Sequence, residues 1–307
     1  MTAIDIVDNQ QMDARQLEIF VAVAEERSFT RAARRLFAAQ STISAAVRTL
    51  EQELGGILFE RSTRAVALTP SGEAALVEAR AALAALDRLR AAAGPGDGRL
   101  RGRVRFGVFS SMHLVGLPSL LGDFHRAHPL VNLRLEVSPT GSAGLLDDVR
   151  HGRLDVALVG LPAQALAGLD SVLLDSAGYI AVLPTEHPHA ADSVLEIADL
   201  ADESFVDTPG GFANRTAVDR AFAETGRVRT VVAEVADMPS IPVYVAAGIG
   251  IGLIPDLTPL VDGTVAVPVR GIPRFTLSAV AAPGHGAATA ALLELLAARD
   301  PSAAGLL

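Results

Sequence analysis

The chain has 307 residues, half of them hydrophobic, a formal net charge of −9 and no cysteine. That length allows two or three domains with real cores, and no run approaches the ~18 apolar residues a membrane span needs. Without cysteine there is no disulfide framework and no thiol redox sensing, which fits a reducing, cytoplasmic setting.

Residues 1 to about 12 carry no periodic pattern and read as a disordered tail. Their acidic, polar start, MTAIDIVDNQQMD, is wrong for a secretory signal. From Leu17 the apolar positions fall at helical spacing in three short blocks. The first is Leu17, Phe20, Val21, Val23 and Ala24; the second is Ala32, Ala33, Leu36 and Phe37; the third is Ile43, Ala46, Val47, Leu50 and Leu54. Ser28 is placed to cap the second helix, and Ser41 or Thr42 the third. Only Phe37 to Gln40 separates blocks two and three, the short connection of a helix-turn-helix. Gly55-Gly56 ends the third helix, and Ile57–Arg61 and Val66–Thr69 read as two short strands around the tip Ser62-Thr63-Arg64.

Ser28, Thr30, Arg31, Arg34, Gln40, Ser41, Thr42, Ser44 and Arg48 surround the turn and third helix, and Arg61, Ser62 and Arg64 occupy the hairpin. These donor-rich side chains lie where a helix-turn-helix meets phosphates and base edges. The bland alternative is a solvated polar face, but an ordered sequence of helix, turn, helix and basic wing argues against it. The acidic total is no obstacle to DNA: between Ser28 and Arg64, six arginines face three glutamates, a local balance of +3. All 26 basic residues are arginine. With so much Ala and Gly, that reflects genomic composition bias.

The pieces LEIFVAVAEERSFTRAARRL, QSTISAAVRTLEQELGGILFER and LTPSG resemble the winged helix-turn-helix of the LysR-type transcriptional regulators over roughly sixty contiguous residues. The resemblance implies a sequence-specific DNA-binding regulator acting on double-stranded, inverted-repeat promoter sites, with RNA polymerase as a partner if it activates. Ala45 and Ala46 depart from the longer polar side chains of many relatives. Base readout then rests on Ser41, Thr42, Ser44 and Arg48, or on small contacts with thymine methyls.

Thr69-Pro70 opens a long helix, with Thr as cap, Pro at the first position and Glu73 in the first turn. Leu76, Ala79, Leu83 and Leu86 keep a seven-residue rhythm, so we expect a seam that pairs with its twin in a homodimer or homotetramer. The other reading is a helix lying on its own body. GPGDG (94–98) is a hinge by composition.

Beyond it the order is strand (RVRFGVFSS), helix (114–128), strand (132–137), helix (from 142) and strand (155–159), which predicts a parallel sheet covered by helices. Tyr179–Leu183 leads away to SFVD (204–207), a helix after Asn214, a strand at 230–235, a helix after Asp237 and a strand at 251–254. Phe275–Ala281 and Ala287–Ala298 close the chain as strand and helix. HGRLDVALVG, FVDTPGGFANR and VAAGIGIGLIP resemble the periplasmic-binding-protein-like effector domain of the same family. The fold class expected is therefore α/β, with an α-rich N-terminal winged helix-turn-helix and an effector domain of two α/β subdomains. The divisions are a tail to 12, DNA-binding residues 13–69, linker helix 70–93, hinge 94–102 and effector domain 103–307. Its first subdomain takes 103–178 and 277–300 and its second 179–276, with crossings near 178–185 and 268–277.

Ligands of open α/β sheets lie beyond strand carboxyl ends and at helix amino ends. Those positions here are Ser110, Ser111, Thr140, Gly141 and Ser142, with Thr208, Pro209, Gly210, Phe212, Arg215, Asp237 and Met238 opposite. Arg215 is the one cation in this set and tilts the expected small-molecule effector toward a carboxylate. Each Ser or Thr has the alternative role of a helix cap, and Arg215 that of a surface ion pair.

Other motifs carry less. Gly248-Ile249-Gly250-Ile251-Gly252 precedes a strand and lacks the helix that would hold a pyrophosphate. His125 and His128 lack a third ligand, so no metal or other cofactor is expected. Ser110, Ser111 and Ser142 are not in a G-x-S-x-G elbow, and no enzyme is expected. The rival reading is a cytoplasmic solute-binding-like protein with a vestigial DNA-binding domain; residues 13–70 argue against it.

Overall fold

The computed structural model describes residues 12–61, 66–92, 99–109 and 116–298. It divides into two units, Met1–Gly94 and Pro95–Leu307.

In the first unit, helix α1 (Ala14–Glu26) opens on a capping box: the Asp13 carboxylate accepts from Gln16 N–H at 2.7 Å, and Gln16 returns the bond to Asp13 N–H at 2.7 Å. Ser28 caps α2 (Phe29–Arg35), its Oγ accepting from Arg31 N–H. Helix α3 (Gln40–Leu54) starts earlier than expected. The Ala39 carbonyl already accepts from Ile43 N–H, so Ser41 and Thr42 lie inside the first turn and neither caps it. Strands β1 (Phe59–Arg61) and β2 (Val66–Leu68) pair antiparallel as the wing. The tip with Ser62 and Arg64 lies outside the described residues.

Phe20, Val23, Ala32, Ile43, Val47, Leu50 and Phe59 are essentially fully buried, with the Phe20 and Phe29 rings edge-on to Phe59 at 5.5 and 5.7 Å. Each large side chain contributes about 1.5–3 kcal/mol on leaving water. Phe37 is a correction. Assigned to the second apolar block, it is 98% exposed, because the turn holds its backbone at φ 52 and swings the ring out of the helix face.

Helix α4 (Pro70–Ala92) is capped by Thr69, whose Oγ accepts from Gly72 N–H at 2.9 Å. Its seam is also corrected. Leu76 and Ala79 are buried in this unit's own core beside α1, with Leu83 packed at the edge, so Leu76 and Ala79 are not free to meet a twin. Three short helices leave an open apolar face, and the first turns of α4 close it. Leu86 is half-buried and Leu89 is exposed.

The second unit runs β3 (Gly102–Val108), α5 (Leu117–Ala127), β4 (Val131–Val137), α6 (Gly141–Arg150), β5 (Val156–Val159) and β6 (Asp170–Ala177). The chain then crosses at Gly178 to β7 (Tyr179–Pro184), β8 (Leu195–Glu196), β9 (Ser204–Asp207), α7 (Ala213–Glu224), β10 (Thr230–Glu234), α8 (Ile241–Ala246), β11 (Gly252–Pro255) and β12 (Thr264–Arg270). It returns to β13 (Phe275–Ala281) and α9 (Ala287–Ala297). One sheet has the order β4-β3-β5-β13-β6. Its β4-β3-β5 part is parallel, as expected, while β13 runs antiparallel to both its neighbours. The second body holds β11-β7-β12-β8 and the parallel pair β9–β10, joined by a bridge from Phe205 to Ile251. Strands β6, β8 and β12 have no counterpart in the sequence reading.

Candidate functional site

Around the helix-turn-helix, the polar set reaches solvent. Thr30, Arg31, Arg34, Gln40, Ser41, Thr42 and Arg48 are exposed, and Ser28 and Ser44 are half-buried. Along α3 the residues at 41, 44, 45 and 48 follow helical spacing opposite the buried Ile43, Val47 and Leu50. Several donors are already engaged. Arg31 pairs with Glu26 at 3.5 Å, and Gln40 Nε2 donates to Ser44 Oγ at 3.0 Å. Among the described residues Arg34 and Arg48 form no ion pair, so their charges stay open to a phosphate or a base edge.

A network that sequence reasoning missed joins α1, α2 and α4. Glu25 binds Arg35 at 2.7 Å and Arg80 of α4 at 3.2 Å, with the Arg80 side chain only 5% exposed. Burial alone would raise the Glu25 carboxyl; the hydrogen bonds and charges of Arg35 and Arg80 outweigh it and hold it below its usual 4.5. A depressed carboxylate stabilises the fold above its unfolded value, and that contribution is lost as pH falls through its folded value. Urea midpoints of the native chain and Glu25→Gln should therefore differ by a constant gap above pH 4.5, and the gap should close in more acid solution. A gap that does not narrow at all as the solution is acidified contradicts the network's role.

In the second unit a cavity of ≈ 30 Å³ lies between the two bodies. Ser142, Thr208, Phe212, Asp237 and Met238 of the expected set line it, joined by Phe109, Ala213, Asn214 and Phe275. Thr140, Gly141, Pro209 and Arg215 are not in the lining. Thr140 Oγ sits 3.1 Å from Ser138 Oγ, and a Cβ on Gly141 would come within 3.1 Å of the Phe212 ring. Ser110 and Ser111 lie outside the described residues.

Arg215 is corrected in full. It pairs with Asp219 at 2.7 Å and Glu234 at 3.0 Å and donates to the Thr208 carbonyl, so it is committed to a surface ion network. Its spacing four residues before Asp219 on one helix is the physical reason.

Behind the cavity lies a buried polar knot. Asp207, with no exposed surface, accepts from Thr208 N–H at 2.6 Å, Asn214 Nδ2 at 3.0 Å and Arg229 Nη2 at 2.5 Å. Arg229 also binds Asp219 at 2.7 Å and stacks 5.1 Å over the Phe205 ring. Burial, then the Asp207 charge, push the Tyr179 phenol above its ordinary range. A lone Asp ending the apolar strand SFVD was the only signal in sequence.

The remaining motifs are structural. A Cβ on Gly250 would meet the Ser204 carbonyl at 2.4 Å, so the glycine admits the neighbouring strand. His128 packs on Phe124 at 5.0 Å. Among the described residues no three His, Asp or Glu side chains gather as a metal site, and no helix is long and apolar enough to cross a membrane.

Residues 14–73 match the family model for the bacterial regulatory helix-turn-helix protein of the lysR family, and residues 97–301 match the LysR substrate binding domain. The chain is 36% identical over 263 residues to the HTH-type transcriptional regulator ShiR of Corynebacterium glutamicum, covering 84% of this chain and 88% of that protein. It is 33% identical over 288 residues to a probable hydrogen peroxide-inducible genes activator of Mycobacterium avium, covering 93% and 89%. A full-length OxyR variant from Pseudomonas aeruginosa has the same fold, with a TM-score of 0.74, 28% identity and 94% of each chain covered.

Proposed function

The chain belongs to the LysR family of bacterial transcriptional regulators, and from that premise we propose how its residues divide the work. Regulators of this family join a DNA-binding helix-turn-helix to an effector-binding domain, and this chain, an effector-modulated transcriptional regulator, carries both. Its relatives are regulators, not enzymes.

In our reading residues 13–69 dock on DNA, 70–93 link, 94–102 hinge and 103–307 bind the effector in a cytoplasmic setting. Ser41, Thr42, Ser44 and Arg48 face the major groove, while Thr30, Arg31 and Arg34, with the wing residues Arg61, Ser62 and Arg64, grip phosphates. Two chains present paired α3 helices to half-sites about 34–36 Å apart in an inverted repeat. With Leu76 and Ala79 committed to their own core, pairing along α4 falls to its later turns, around Leu86. An effector in the cleft biases the arrangement of the two bodies only by its differential affinity for them, and so alters promoter access for RNA polymerase. Thiol chemistry is closed to a chain without cysteine. In this reading its stimulus is a bound molecule and not the oxidation of a cysteine thiol.

The observation that carries this reading is Arg48, exposed on the polar face of α3 and without an ion pair among the described residues. Gel filtration of the full chain, alone and with duplex from upstream of its own gene, tests it. A dimer or tetramer that co-elutes with the duplex is expected; the solute-binding alternative predicts a protein that ignores DNA.

A further inference from the structure

Resting on the reading that the effector occupies the cleft, we propose that it is a small carboxylate carrying its own O–H or N–H donor, and that Asn214 reads that donor.

Two independent observations meet at the cavity. The first concerns the amino ends of α6 and α7. Neither has a side-chain cap, yet both contribute to the lining, α6 through Ser142 and α7 through Phe212, Ala213 and Asn214. They abut closely, since a Cβ on Gly141 would come within 3.1 Å of Phe212. First-turn N–H groups have no partner inside their own helix and favour negative charge. A carboxylate supplies it without any help from Arg215.

The second observation points the other way, to a donor. Asn214 is 2% exposed. Its Nδ2 donates to Asp207 Oδ1 at 3.0 Å and to the Leu253 carbonyl at 3.1 Å. Both partners are acceptors, so the nitrogen must face them and the orientation of the amide is fixed by chemistry. That leaves Oδ1, a buried acceptor on a cavity-lining residue, with no partner among the described residues. Thr208 repeats the pattern: its hydroxyl proton goes to Asp207 at 3.2 Å, leaving its lone pairs as acceptors. The Asp237 carboxylate, held by Ser240 N–H at 3.0 Å and Oγ at 2.6 Å, is a third acceptor in the lining.

A plain carboxylate answers the helix ends and leaves these acceptors empty. An α-hydroxy or α-amino acid answers both. Phe109, Phe275 and Met238 give such a head group a dry wall that strengthens each hydrogen bond.

The test uses the full chain and four probes on one three-carbon skeleton: propionate, lactate, alanine and propan-2-ol, each titrated by calorimetry and thermal shift. Lactate or alanine should bind about tenfold tighter than propionate, with propan-2-ol weakest. Preference for alanine assigns the donor as an ammonium facing Asp237, and preference for lactate assigns a hydroxyl; either supports the proposal. In Asn214→Leu the advantage of lactate or alanine over propionate should vanish. If that variant does not fold, Thr208→Val should narrow the advantage about threefold. Equal binding of propionate overturns donor recognition, and so does an advantage that survives Asn214→Leu. Propan-2-ol matching lactate overturns the carboxylate. If none of the four binds, the proposal falls, while the reading of the chain as a DNA-binding regulator is decided separately by co-elution with duplex.

Discussion

Replacing Asp207 with alanine should cost the effector-binding unit about 3–5 kcal/mol, the largest stability effect we expect from a single side chain. The reason lies in what stays behind. Arg229 is 3% exposed, clasped between Asp207 and Asp219 and stacked on Phe205 and Phe222. Without Asp207 that guanidinium keeps only the half-exposed Asp219, and Asn214 Nδ2 and Thr208 lose their shared acceptor. Desolvation of a charge is tolerable only when it is paired, so the penalty far exceeds one hydrogen bond. Urea denaturation of the full chain measures it. The double variant Asp207→Ala, Arg229→Met should recover most of the loss, because an apolar replacement removes the stranded charge. A single-variant loss below about 1 kcal/mol would contradict the buried-pair account.

Arg48→Ala should lower affinity for the cognate operator by about 1–3 kcal/mol and relax preference at one base position. Arg48 is exposed on α3 and forms no ion pair among the described residues, so its removal should change stability by less than about 0.5 kcal/mol. The two readouts separate recognition from folding. Titration against operators varied one position at a time distinguishes the outcomes. A uniform loss across all sequences, with the salt slope reduced by about one, makes Arg48 a phosphate contact instead.

Local signals in the sequence were the legible ones. Ser28, Thr69 and the run of apolar blocks mark caps and helix faces whose partners lie within a few residues, and the structure keeps them. Errors arose where a distant partner decides. Leu76 and Ala79 keep a rhythm that suits a twin helix equally well, but α1 of the same chain claims them. Arg215 looked available until Asp219 and Glu234, one of them nineteen residues away, were seen to hold it. Strand β12 was missed because Pro268 interrupts its apolar alternation, as a strand proline tends to do. The Asp207–Arg229 pair spans twenty-two residues and has no periodic signature at all. About half of the cavity lining could be inferred from strand ends; Phe109, Asn214 and Phe275 enter it only through the packing of the two bodies.

If the exposed polar face of α3 reads a specific DNA sequence, the protein must single out one site on a promoter. Footprinting the full chain on DNA upstream of its own gene, across a salt series, tests it most directly. Protection of an inverted repeat is expected, with half-sites about 34–36 Å apart and affinity falling steeply as salt rises. Protection that ignores sequence, or none at any salt on that DNA and on operators selected from random pools, would contradict it.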